Sequence, residues 1–93
     1  MYDDIKILKL LNGEEIIARV REEDLFYYIK KVRSIIDVPS QNFNEMAVAV
    51  TCWSSAADDE EEIKISSSNV MTERTPKEEF KNQYISNSTG LVL

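Results

Sequence analysis

The sequence predicts an all-β fold: five short strands in a small, strongly bent open barrel or sandwich, followed by one C-terminal helix. Three observations carry this. Apolar residues alternate with polar ones in short runs, the period of a half-buried strand. Turn residues punctuate the runs, and Asn12-Gly13 is the strongest short hairpin signal among them. Thr75-Pro76-Lys77-Glu78 then reads as a helix start: threonine caps, proline takes the first helical position and glutamate completes a capping box.

The first strand covers 5–11. Ile5 and Ile7, then Leu8 and Leu10, alternate with a slip. Ile5, Leu8 and Leu11 would also suit a helix, but a hairpin at Asn12-Gly13 needs a strand on each side. In the second strand Ile16, Ala18 and Val20 alternate with Ile17, Arg19 and Arg21. Glu22-Glu23-Asp24 reads as the next turn. The aromatic and β-branched stretch 25–38 is too long for one flat strand. Phe26 and Tyr28 share a parity that polar Lys30 breaks and Val32, Ile36 and Val38 resume, so a bulge is expected near Lys30-Lys31. Pro39 stops the strand and 40–45 is loop. Met46, Val48, Val50 and Cys52 alternate with Ala47, Ala49, Thr51 and Trp53 in a fourth strand. After a polar loop over 54–61, Ile63 and Ile65 begin a fifth strand that 66–69 interrupts and 70–72 continues. Phe80 and Tyr84 share one face of the helix. Gly90 ends the polar stretch after it, and Leu91-Val92-Leu93 finishes with exposed-looking apolar residues.

Composition narrows function by exclusion. At 93 residues the chain is one domain, with a barrel over about 5–73 and a helix and tail over about 75–93. Seventeen acids against eleven bases leave a net charge of −6, which opposes broad electrostatic binding of nucleic acid. With no histidine, Ser-His-Asp and Cys-His catalysis and histidine metal ligation are excluded. No acid/base pair or nucleophile is placed by the sequence, so a non-enzymatic protein is expected, with no cofactor. A single cysteine, Cys52, excludes an intramolecular disulfide and suits a reducing compartment. The longest apolar runs have five residues, and Met1-Tyr2-Asp3-Asp4 has no signal-peptide character. A soluble cytoplasmic protein without a membrane partner is the expectation.

Several clusters carry possible chemistry. Asp58-Asp59-Glu60-Glu61-Glu62 is oxygen-rich, but it lacks the spaced ligands and glycine turn of a calcium loop. It is expected to be a solvated loop that blunts strand edges, removable with little loss of stability, and no metal site. Cys52 is expected as a packed thiol, since no cation flanks it. Trp53 suits a stacking platform or an interface anchor equally. Phe26, Tyr27 and Tyr28 could stack on unpaired bases or pack in a core and interface. Arg19, Arg21, Lys30, Lys31 and Arg33 put five of the eleven cations on adjacent strands, a basic patch or scattered solvent-face residues.

The run Leu10-Leu11-Asn12-Gly13-Glu14-Glu15-Ile16-Ile17-Ala18-Arg19-Val20 resembles the first motif of the Sm-like family (Sm, LSm and Hfq proteins). Asp24 and Phe26 continue it. Ile65-Ser66-Ser67-Ser68-Asn69-Val70 looks like the second motif. Val70-Met71-Thr72, the helix at Pro76 and the Gly90-Leu91-Val92-Leu93 ending are closest to Sm-like proteins of marine cyanophage type. The chain departs from the family's pattern in three places. Ala18 replaces a glycine, Tyr28 stands where the family has a base-binding asparagine, and Ser66-Ser67 replace Arg-Gly. With four residues before Ile5, the family's N-terminal helix is not expected, and the Pro76 helix is expected to cover the barrel instead.

The resemblance implies a five-stranded Sm-like barrel and a homo-oligomeric ring, pentamer to heptamer. Fourth and fifth strands of neighbours would meet at Val48, Val50, Ile63, Ile65 and Val70. It also implies single-stranded RNA or DNA held at Phe26, Tyr28, Ser66, Ser67 and Asn69, in phage nucleic-acid processing within the host cytoplasm. The other reading is an oligomeric structural or adaptor protein that binds a protein partner and no nucleic acid. The acidic loop and the missing Arg-Gly favour it.

Overall fold

The computed structural model describes residues 4–39, 46–54 and 57–88, with backbone alone at 38, 39 and 46–48. Its elements are β1 (Asp4–Leu10), β2 (Glu15–Glu23), β3 (Phe26–Pro39), β4 (Met46–Cys52), β5 (Ile63–Ser66), a 3-10 turn (Ser67–Asn69), β6 (Val70–Arg74) and α1 (Glu78–Ser88). The strands form one antiparallel sheet in the order β4-β3-β2-β1-β6, with β5 also on β3. The expected loop at 40–45 and apolar ending at 91–93 lie outside the described residues. No helix among the described residues is long and apolar enough to cross a membrane.

The first hairpin forms where Asn12-Gly13 predicts it. Gly13 takes φ +89, in the left-handed region that a side chain disfavours. Asn12 Oδ1 accepts from the Glu14 N–H at 2.9 Å, and the Gly13 N–H donates to the Leu10 carbonyl at 2.9 Å. The apparent slip in β1 has a simple origin: both faces of the strand are covered. Leu8 and Leu10 lie with the cluster of Ile16, Ala18, Val20, Tyr27, Ile29 and Val32. Ile5 and Ile7 lie on the opposite face with Ile17, Ile35, Val50 and the helix residues Tyr84, Phe80 and Ile85. Ile17, expected on the open face of a half-buried strand, is therefore fully buried under α1.

The next turn is shorter than Glu22-Glu23-Asp24 suggests. Glu22 and Glu23 continue β2 opposite Tyr27 and Phe26, and Asp24-Leu25 alone make the turn, with Asp24 at φ 55. The bulge expected near Lys30-Lys31 is present. Between Ile17 and Arg19 on β2, the partner positions on β3 run from Arg33 to Lys30, one residue too many, and Lys31 sits at φ 53. The extra residue exchanges the faces of β3. Tyr27 and Ile29 enter the first cluster before it and Val32 after it, while Ile35 joins the helix side. Ile36, expected on an apolar face, is exposed.

One edge of β3 pairs with β2. The other is shared, β5 taking 26–29 and β4 taking 33–39. The predicted fifth strand is two strands. The 3-10 turn separates β5, on β3, from β6, which lies on β1 opposite Ile7, Leu8 and Lys9. A polar interruption in sequence looks the same whether the chain resumes on its own partner or crosses to another. The helix begins at Glu78, later than the capping box at Thr75 implies. The Thr75 hydroxyl accepts from Lys6 Nζ at 3.2 Å instead, and Pro76 is buried.

Tyr84 locks α1 onto the sheet. Its side chain is fully buried, and its hydroxyl donates to the Lys31 carbonyl at 2.7 Å. Burial pushes its pKa up to about 12, and burial with the Glu73 hydrogen bond does the same for Tyr27. A tyrosine with a raised folded pKa stabilises fully below its ordinary pKa and loses that contribution as pH rises through the folded one. The chain is therefore expected to lose stability between about pH 10 and pH 12. Tyr84→Phe keeps the packing but removes the hydroxyl partner of the part-buried Lys31 carbonyl, so it should cost about 1–3 kcal/mol at neutral pH and flatten the alkaline limb. Urea unfolding midpoints from pH 8 to 12 check both.

Candidate nucleic-acid interface

The residues expected to touch nucleic acid lie on the outer face of β3 and at the 3-10 turn. Phe26 pairs with Ser66 across β3 and β5, and Tyr28 pairs with Lys64 on one side and Arg21 on the other. Rings and cations meet as these registers require. The Arg21 guanidinium lies 4.1 Å from the Tyr28 ring centroid, and Lys64 Nζ lies 4.1 Å from that of Phe26 and 6.0 Å from that of Tyr28. Each such contact contributes about 0.5–1 kcal/mol at an exposed site. Acids lie close by: Arg21 pairs with Glu23, and with Glu62 at 3.4 Å.

The two turns that the resemblance brings together are in contact. The Ser67 N–H donates to the Leu25 carbonyl at 2.8 Å. Ser66 Oγ caps the 3-10 turn by accepting from the Ser68 N–H at 3.3 Å, and it lies 2.8 Å from Ser68 Oγ. Asn69 is exposed, and its carbonyl accepts from the Leu11 N–H at 3.0 Å. Phe26, Tyr28, Ser66 and Ser67 thus form one neighbourhood, and Asn69 stands at the far end of the turn, beside β1. Leu25, 71% exposed, projects from the β2–β3 turn in the same neighbourhood. Lys64 is the member that sequence reasoning missed. Its parity between Ile63 and Ile65 already placed it on the outer face, but its aromatic partners depend on register.

The expected seam residues divide. Ile63, Ile65 and Val70 are half-buried against the first cluster, and Val50 against the second. The side chain of Val48 lies outside the described residues. Trp53 is half-buried against the first cluster, where its indole N–H donates to Glu14 Oε2 at 2.9 Å. Cys52, expected as a packed thiol, is exposed: it ends β4, and among the described residues β4 is flanked by β3 on one side only. No protein-family model matches the chain, and no curated protein matches it.

The acidic segment is not the free solvated loop that its composition suggests. Asp59 takes Arg33 in a two-pronged pair, Nη1 to Oδ1 at 2.6 Å and Nη2 to Oδ2 at 2.8 Å. Arg33 is only 7% exposed, and its Nε also donates to Asn87 Oδ1 on α1 at 2.7 Å. Lys31 Nζ reaches Glu60 at 2.9 Å and the Ser88 carbonyl at 3.2 Å. The patch of five cations is thereby broken up: Lys31 and Arg33 are held by the loop and the helix, and Arg21 belongs to the aromatic strip.

The Arg33 hydrogen bonds hold the Asp59 carboxyl below the usual carboxylate range. A depressed carboxyl pKa contributes stability that is present above the ordinary value and is lost as pH falls through the folded one. Asp59→Ala should cost about 1.5–3 kcal/mol, the range for a charged hydrogen-bonded contact, because it removes the only carboxylate partner of the buried Arg33 guanidinium among the described residues. It should also remove part of the stability lost below about pH 4, where ordinary carboxyls protonate. Glu61→Ala, at an exposed position of the same run, serves as the control in thermal melts from pH 3 to 7.

Proposed function

We propose that this chain is a non-enzymatic, ring-forming module of Sm-like type that holds single-stranded RNA or DNA on Phe26 and Tyr28, in phage nucleic-acid processing. The observation that carries the reading is the joining of the two motif turns, Leu25 to Ser67, beside two aromatic rings presented on one outer face. Successive bases stack on aromatic side chains with little sequence preference, at about 1–3 kcal/mol per base. The same reading closes the sheet into a barrel. The 3-10 turn carries the chain from β5, on β3, to β6, on β1, and the Tyr27 hydroxyl reaches from β3 to Glu73 on β6 at 3.1 Å. One edge each of β4 and β6 has no strand partner among the described residues, and open edges invite pairing with a neighbour. Head-to-tail pairing that closes gives a ring.

One observation favours the adaptor reading. The cations of the strip already lie on the ring faces, and Arg21 is engaged by Glu23 and Glu62. Bases must compete with these cations for the rings, so weak affinity with a shallow salt dependence is expected.

Light scattering at micromolar concentration should give a mass several times 10.7 kDa. Short labelled homopolymers of RNA and DNA should bind at low salt. Phe26→Ala should weaken that binding by about 1–3 kcal/mol per stacked base and leave the assembly intact. Ser66→Arg, placed opposite Phe26, should strengthen it by adding a charged contact. A monomer at every concentration rejects the ring. No homopolymer binding by either form, at low salt, moves the assignment to the adaptor.

A further inference from the structure

A groove of about 590 Å³ runs between the first half of α1 and the sheet, and it shares no residue with the aromatic strip. Its floor is apolar: Ile7 and Ile35 from the sheet, Phe80 from the helix, all half-buried, and buried Pro76. Its charges are sorted by end. Arg74, on β6 opposite Ile7, and Lys77, before α1, form a cationic end. Glu15, on β2 opposite Ile35, and Asp37, two residues along β3, form an anionic end. Among the described residues, none of these four side chains makes a hydrogen bond or an ion pair.

The spacing defines what fits. From β6 through β1 to β2 are two inter-strand steps of ~4.8 Å, and Glu15 stands two residues along from the position opposite Arg74, so ~12 Å separates Arg74 from Glu15, with Asp37 one strand and two residues further. An extended peptide rises ~3.3 Å per residue, so four steps cover ~13 Å, and residues i, i+2 and i+4 point to one side. We propose that this groove docks an extended peptide segment of a partner protein, with an acidic residue, an apolar residue two positions on and a basic residue two positions further. The acid meets Arg74 and Lys77, the apolar side chain rests on Ile7, Ile35 and Phe80, and the base meets Glu15 and Asp37. A segment with like charges at both ends places one of them against its own sign.

Titration of the full chain with acetyl-Glu-Thr-Leu-Thr-Lys-amide, followed by two-dimensional NMR, tests this. Shifts should concentrate at Ile7, Ile35 and Phe80. The peptides with Lys at both ends or Glu at both ends should bind roughly three- to tenfold more weakly, the scale of one or two exposed ion pairs. Arg74→Glu combined with Lys77→Glu should reverse the order in favour of the peptide with Lys at both ends. Equal affinity for the three peptides, or no shifts at the floor residues at millimolar peptide, overturns the proposal. Both results are read on the unmodified protein and stand whether or not the double variant folds. Neither depends on the protein binding nucleic acid.

Discussion

Lys31 is the extra residue of a bulge, and the backbone groups it withdraws from the β2–β3 ladder are taken up by two segments outside the sheet. Its N–H donates to the Asp59 carbonyl at 3.0 Å, and its carbonyl accepts the Tyr84 hydroxyl at 2.7 Å. A buried backbone group left unsatisfied costs about 1–3 kcal/mol, so a bulge in a covered strand needs such partners. The side chains repeat the arrangement. Lys31 reaches Glu60 and Ser88, and two residues on Arg33 reaches Asp59 and Asn87. One backbone irregularity therefore ties the long strand, the acidic loop and the C-terminal helix together.

The bulge also decides how the core is divided. Without it β3 would present one parity along its whole length, and a strand of fourteen residues would have one buried face. With it, Tyr27, Ile29 and Val32 all enter the first cluster, and Ile35 is left for the helix side. A small chain has little interior to bury. Covering both faces of β1 and β2, one by the bent sheet and one by Tyr84 and Phe80, makes use of Ile5, Ile7 and Ile17, which a single-faced barrel would leave in water. Burial of a large aliphatic side chain contributes about 1.5–3 kcal/mol, so this second layer matters to a domain of this size.

Local features were legible in the sequence because their causes are local. Lys30 breaks an apolar alternation, and a bulge follows within one residue. Asn12-Gly13 makes a turn because glycine accepts positive φ. Phe80 and Tyr84 share a helix face because they are four apart. What was hidden depends on pairing across distance. Arg33 reads as one cation among five, and its burial follows from Asp59, one of five adjacent acids that differ only in where the loop is anchored. The thiol of Cys52 follows the parity of Val50, yet strand parity says nothing about where the covering element ends. The candidate interface was half visible: the aromatics were, while Lys64 needed the β3–β5 register to join them.

The distribution of charge follows from the same contacts. Arg33 and Lys31 are committed to Asp59 and Glu60, and Arg21 to Glu23 and Glu62, so three of the five acids in the run are held by cations of the sheet. The remaining acids set the net charge of −6, and no broad positive field is left to draw in a polyanion. On the proposed reading, recognition on the outer face would rest on short-range contacts: the rings of Phe26 and Tyr28, and the cations already lying on them. Attraction between a cation and a ring is short-ranged and partly desolvated, and salt weakens it less than it weakens exposed charge pairs. A ligand that replaces Arg21 or Lys64 on a ring returns that cation to the surface beside it, where it can meet the ligand's own negative charge. The strip can thus exchange an internal contact for an external one at small net cost, which suits reversible binding better than tight binding.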